Sequence, residues 1–123
     1  MIHTRDLACR FADGRTLRFA DTDVPQGGTL LLRGPSGSGK STWLALAAGL
    51  LSATGGEMVV AGQSVGALAP AARDAWRART IGFLPQRLLL SEALTVAGNL
   101  GLLPGSELSI GGAKLAVRLC LIC

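Results

Sequence analysis

The 123-residue chain is 49% hydrophobic and only 16% charged, with a formal net charge of +4. That composition can fill a core and excludes an intrinsically disordered chain, and the length suits one modest domain. The cations are mostly arginines dispersed along the sequence, without the basic block that marks a nucleic-acid partner, so none is expected. No apolar run approaches the roughly 18 residues a membrane span needs, and no signal peptide is visible, so a cytoplasmic location is expected.

Residues 1–26 read as β structure. Ile2, Leu7 and Cys9 alternate loosely with polar neighbours, residues 12–15 (ADGR) give a turn signal, and residues 16–19 (TLRF) alternate as a second strand. Residues 21–26 read as a connection holding Pro25, after which Gly27 and Gly28 open the next strand. Phe11 has two readings at this point: a ring that stacks on a base, or ordinary core packing. His3 is the sole histidine, with no acid or cysteine cluster near it, and reads as a surface residue.

The chain then reaches its most informative stretch. Residues 29–32 (TLLL) predict a short buried strand. Residues 34–42 (GPSGSGKST) follow and satisfy G-x-x-x-x-G-K-[ST], with Gly34, Gly39, Lys40 and Ser41 on the fixed positions. Residues 43–50 predict a helix. Glycines allow the backbone to wrap an anion closely, because no Cβ intervenes and positive φ is cheap. Successive N–H groups of Gly34, Pro35, Ser36, Gly37, Ser38 and Gly39 (Pro35 excepted, which has none) then converge on one point, and the positive end of the helix faces it. Lys40 supplies a full charge for the β and γ phosphates. The Ser41 hydroxyl is suited to Mg²⁺, and Thr42 to a further phosphate contact. The competing reading, a surface loop that fits by chance, leaves the matching flanks unexplained.

Further on, residues 49–56 form a break, 57–62 a short strand and 62–66 a turn. Residues 70–79 predict a helix, with Pro70 in its first turn and Arg77 and Arg79 in its last. Residues 80–84 predict a strand that ends at Pro85-Gln86-Arg87. The carboxyl end of a strand is where open α/β sheets bind ligands, yet Gln86 also reads as a plain loop glutamine. Residues 91–100 predict a helix capped by Ser91 and weakened by Gly98. Beyond residue 103 the pattern dissolves. Cys120 and Cys123 form a C-x-x-C with no second pair and no helix start behind it, so neither a metal nor a redox role is expected.

Residues 5–100 taken together resemble the first half of an ABC transporter ATP-binding subunit. The likeness rests on a series in fixed order: the phosphate loop 34–42, Ala48-Gly49-Leu50, Thr54-Gly55-Gly56-Glu57, Val60-Ala61-Gly62, and Ile81-Gly82-Phe83-Leu84-Pro85-Gln86. The stretch from Gly62 to Gln86, with Trp76-Arg77 ahead of Ile81, is most similar to the lipoprotein-release and macrolide-export branch.

The resemblance implies an α/β fold of the P-loop NTPase type, truncated, with an N-terminal antiparallel β region. It implies ATP and Mg²⁺ as ligands and Phe11 as the adenine-stacking aromatic. It implies Lys40 and Gln86 as catalytic residues, Gln86 touching Mg²⁺ or the attacking water, and Ser41 and Gln86 as contacts of the metal. It further implies two partners, a membrane-embedded permease and a second ATP-binding subunit, and a position on the inner face of the membrane through that permease.

The departures from the family pattern are as informative. The sequence has no LSGGQ signature, no apolar strand ending in Asp-Glu and no switch histidine; residues 108–112 (LSIGG) carry an extra Ile110 and lie too soon after Gln86. Residues 1–103 therefore read as the N-terminal part of an ATP-binding domain. Residues 104–123 read as an atypical tail, from a shifted frame or a deletion. Nucleotide binding with little or no turnover is expected. The alternatives are an inactive remnant or partner-binding fragment, and, further off, a P-loop kinase.

Overall fold

β1 (Ile2–Arg10) is the strand with which three others pair. The structure, a computed structural model, describes residues 1–84, 92–95 and 117–120. β2 (Thr16–Arg18) and β3 (Thr22–Val24) both lie antiparallel to β1 on one side, pairing Cys9 with Leu17 and His3 with Asp23. β4 (Gly55–Val60) lies antiparallel on the other side, with Ile2 opposite Val60, and β5 (Gln63–Ser64) extends the sheet beyond it. The antiparallel N-terminal region is thus present. It includes β3, inside what reads from sequence as a connection, because the partner that makes 22–24 a strand is β1, some 20 residues earlier in the chain.

The loose alternation in β1 has a local cause. Ile2 and Thr4 are buried at even positions, Leu7 and Cys9 at odd ones, and the ladder to β4 shifts register between Arg5 and Ala8. Asp6 stands in this bulge with φ of 48°, and its N–H donates to the Asp21 carboxylate at 2.8 Å. The extra residue returns Leu7 and Cys9 to the core side, which a strict period of two cannot do. The bulge also requires Gly56. A Cβ there would lie 2.3 Å from the carbonyl oxygens of Arg5 and Asp6. Thr4, fully buried, is satisfied by accepting the Thr22 N–H on its Oγ1 at 2.9 Å.

α1 (Lys40–Ala47) crosses the sheet with Trp43, Leu44, Leu46 and Ala47 buried, so it is an interior helix. Its partners in the core include Ile2, Leu7, Cys9, Val60 and Trp76. α2 (Pro70–Thr80) is amphipathic, with Trp76 its buried residue, and it begins and ends where Pro70 and the last-turn arginines predict. Arg77 donates to the Gly49 carbonyl at 3.1 Å, just past the C-terminal end of α1, and pairs with Asp74. Arg73 donates to Ser52 Oγ at 2.6 Å and to the Leu68 carbonyl at 3.1 Å. Two arginines of α2 therefore hold the loop that follows α1.

β6 (Ile81–Leu84) follows directly and pairs in parallel with β7 (Val117–Cys120), Ile81 opposite Val117 and Leu84 opposite Cys120. Cys120 thus stands in a strand, whereas Cys123 lies outside the described residues.

Four readings from sequence need correction. Residues 29–32 form no strand: no described strand lies beside them to take their N–H and C=O groups, and Leu30 and Leu31 stay 37% and 58% exposed. Residues 62–66 hold more than a turn, since β5 pairs with β4 and a 3-10 turn (Val65–Ala67) buries Val65 against the core. Residues 92–95 are turn and bend rather than helix, all four exposed, with no buried apolar face to hold a helix in place. His3 has an acid after all, since Asp23 across the ladder brings its carboxylate to 2.9 Å from Nδ1.

Replacing Gly56 tests the bulge. Gly56→Ala combines positive φ with a backbone collision and is expected to cost about 2–4 kcal/mol. A lower urea midpoint with an unchanged slope will show it, and an unchanged midpoint would remove Gly56 from this role.

Candidate functional site: a cationic loop facing an aromatic hairpin

The loop 34–42 is shaped by how α1 begins. Gly39 is the N-cap, left-handed at φ 94°, and its carbonyl accepts the Trp43 N–H at 2.8 Å to start the helix. A Cβ on Gly39 would lie 2.9 Å from Leu17 Cδ1 and 3.2 Å from Phe19 Cε1. The glycine therefore lets the loop sit directly against the hairpin arm that carries β2. No side chain caps α1, and its first turn holds no acidic residue. The unpaired N–H groups and the positive end of the helix are left for an anion.

Lys40 closes the loop on itself. Its Nζ donates to the carbonyls of Gly34 and Pro35, both at 2.8 Å, with Ser38 Oγ at 3.5 Å. The Ser38 N–H donates to the Pro35 carbonyl at 3.3 Å, which tightens the turn. These are neutral acceptors. A phosphate oxygen is a stronger, charged one, so the ammonium gains by moving to it.

The cavity above this loop has a volume of about 750 Å³ and is lined by Phe11, Arg15, Leu17, Leu32, Arg33, Gly34, Ser36, Gly37, Gly39, Lys40, Ser41 and Thr42. Eight residues singled out from sequence meet here: Phe11, Gly34, Ser36, Gly37, Gly39, Lys40, Ser41 and Thr42. Pro35 and Ser38 serve from behind by holding Lys40. Gln86 lies outside the described residues. Arg15 and Arg33 are the cations that sequence reading missed. Arg33 abuts the motif, and Arg15 stands just past the turn from Phe11, so both were within reach of a closer reading.

The lining has three cationic side chains and no carboxylate among the described residues. That sign, the open helix start and the glycine cradle fit a polyphosphate of nucleotide size. Among the described residues no cluster of three His, Cys, Asp or Glu could hold a metal alone. Ser41 is a single oxygen, which suits a magnesium ion that shares its sphere with phosphates and water. A second cavity among the described residues, about 460 Å³, lies at the far end of α1, and its one arginine, Arg73, is already bonded to Ser52 and Leu68.

A glycine loop feeding the uncapped start of a buried helix, with a lysine at its first position, defines the P-loop NTPase fold. A model of the ABC transporter family matches residues 17–119. The chain belongs to that family, on the side of its ATP-binding subunits.

Among its relatives is the lipoprotein-releasing system ATP-binding protein LolD of Xylella fastidiosa, 34% identical across 98% of this chain and 52% of its own length. The sn-glycerol-3-phosphate import ATP-binding protein UgpC of Chromohalobacter salexigens is 40% identical over 74% of this chain and 23% of its own. The likeness to the lipoprotein-release branch is therefore shared with importers. Among solved structures, the dimeric post-hydrolysis state of the ATP-binding cassette MJ0796, bound to ADP and Pi, superposes with a TM-score of 0.73 at 26% identity. It covers 83% of this chain and 46% of the solved one. The chain thus spans about half or less of the length of these relatives. Among the described residues no helix is long and apolar enough to cross a membrane.

The contact of Gly39 with Leu17 and Phe19 gives a prediction. Gly39→Ala is expected to cost about 1–3 kcal/mol, from left-handed strain and the crowded Cβ together. Thermal unfolding of the two proteins side by side reads it; equal midpoints would mean that the loop does not bear on the hairpin.

Proposed function

We propose that this chain is the nucleotide-binding part of an ABC transporter ATP-binding subunit and that it binds MgATP in the cavity between the loop 34–42 and Phe11. One observation carries the reading: the uncapped start of α1, Lys40 and an aromatic ring line a single cationic cavity. The residues divide the work by chemistry. The N–H groups around Gly37 and Gly39 and the helix end bind phosphate oxygens. Lys40 leaves the Gly34 and Pro35 carbonyls to neutralise the β and γ phosphates. Ser41 offers one oxygen to magnesium, Thr42 donates to phosphate, and Phe11 offers its ring face to the adenine. Gln86, just beyond β6, is assigned to the metal or the attacking water.

Hydrolysis by this chain alone is proposed to be slight. Phosphoryl transfer is a matter of positioning and of stabilising charge in the transition state. These 123 residues carry no LSGGQ and no Asp-Glu pair to supply those groups. The complete activity, ATP hydrolysis driving transport, is proposed for a pair of full subunits docked on a permease at the inner face of the membrane. The dimeric state of the solved MJ0796 cassette supports the pairing.

Ligand-induced stabilisation tests the reading. MgATP at about 100 times its Kd adds about 2.7 kcal/mol to the folded state and should raise the melting temperature by several degrees. Lys40→Ala is expected to weaken binding at least about tenfold, the loss of a charge-assisted contact. Phe11→Ala should weaken it about tenfold and Phe11→Tyr hardly at all, because the ring face is kept. A melting temperature indifferent to MgATP at millimolar concentration would overturn the proposal.

A further inference from the structure

The ring assigned to the base is already in contact with a second planar group. β1 and β2 are joined by a short turn in which the Phe11 N–H donates to the Arg15 carbonyl at 2.8 Å and the Gly14 N–H donates to the Phe11 carbonyl at 3.0 Å. These bonds set residues 11 and 15 opposite each other at the mouth of the hairpin. The Arg15 guanidinium carbon lies 5.1 Å from the centroid of the Phe11 ring. Asp13 steadies the turn: its carboxylate accepts the Arg15 N–H at 2.9 Å, and its other oxygen lies 3.7 Å from Arg15 Nε. Phe11 packs partly against the core, whereas the Arg15 side chain is 65% exposed. Of the stacked pair, then, the ring is anchored and the guanidinium can swing. Both line the cavity that holds Lys40.

We infer that Arg15 is the outer wall of the base site: the base enters between the Phe11 ring and the Arg15 guanidinium and is stacked on both faces. A guanidinium is planar, weakly hydrated and stacks on aromatic faces, so it suits this position in a way a lysine ammonium does not. The Asp13 contact restrains Nε while leaving the terminal nitrogens free to turn. The guanidinium rests on the ring and covers apolar surface that the base would take over on binding. Arg15 is thus a binding residue for the base half of the ligand, distinct from Lys40, which serves the phosphate half. The inference rests on reading the cavity as a nucleotide site.

The test separates the two halves of the ligand. The full chain is titrated calorimetrically with MgATP and, separately, with magnesium tripolyphosphate, which keeps the phosphates and lacks the base. Arg15→Ala is expected to weaken ATP binding about tenfold while leaving tripolyphosphate within about twofold. Arg15→Lys should lose most of the same tenfold, because it keeps the charge and loses the plane. Equal losses for both ligands would make Arg15 a phosphate-side charge and overturn the inference. Unchanged ATP binding, or tighter binding from release of a competitor on the ring, would overturn it as well. Should the alanine variant fail to fold, the lysine variant carries the same comparison. If the unaltered chain binds neither ligand, the nucleotide reading itself falls, an outcome distinct from binding that ignores residue 15.

Discussion

The site depends on one close contact, that of Gly39 with Leu17 and Phe19. At this point the start of a buried helix lies against the arm of a hairpin with no room for a side chain between them. A methyl group here would push the helix start away from the hairpin with which it shares the cavity. The contact ties two kinds of recognition together. The loop offers N–H groups and charge, and the hairpin, one turn away, offers Phe11 and Arg15.

The hairpin is held in turn by β1, and β1 by its bulge. With strands on both sides, β1 must present Ile2 and Thr4, then Leu7 and Cys9, to the same core. Asp6 and Gly56 make that possible, one by a left-handed backbone and the other by having no Cβ. The loop's other anchor is weaker. Residues 29–32 lead into it without a ladder, and Leu31 is more exposed than buried. The phosphate loop is therefore gripped firmly through α1 and loosely through the segment before it.

Much of this was legible in the sequence, for identifiable reasons. The loop 34–42 reads directly, because glycine spacing and Lys40 express a local geometry. α2 reads well from Pro70, Trp76 and its closing arginines, since helix ends are also local. What did not read was set at a distance. The bulge depends on Gly56, about 50 residues from Asp6, and β3 exists because β1 lies beside it. The same logic explains the strand that was expected and not formed at 29–32: an apolar run becomes a strand only when a neighbour takes its hydrogen bonds. Arg15 is a different case. Its turn was recognised, but not that such a turn sets the residues on either side of it face to face.

The Arg77 contact at Gly49 has an electrical consequence. α1 is eight residues long, so its two ends lie only about 12 Å apart by helix rise, and the helix is largely buried, where salt screens weakly. The negative potential of its carboxyl end would therefore reach back and offset part of the positive potential at the loop. The Arg77 guanidinium on the Gly49 carbonyl offsets part of that potential, and its pairing with Asp74 limits how much. An arginine on a neighbouring helix, outside the lining of the cavity, thus bears on the potential along α1.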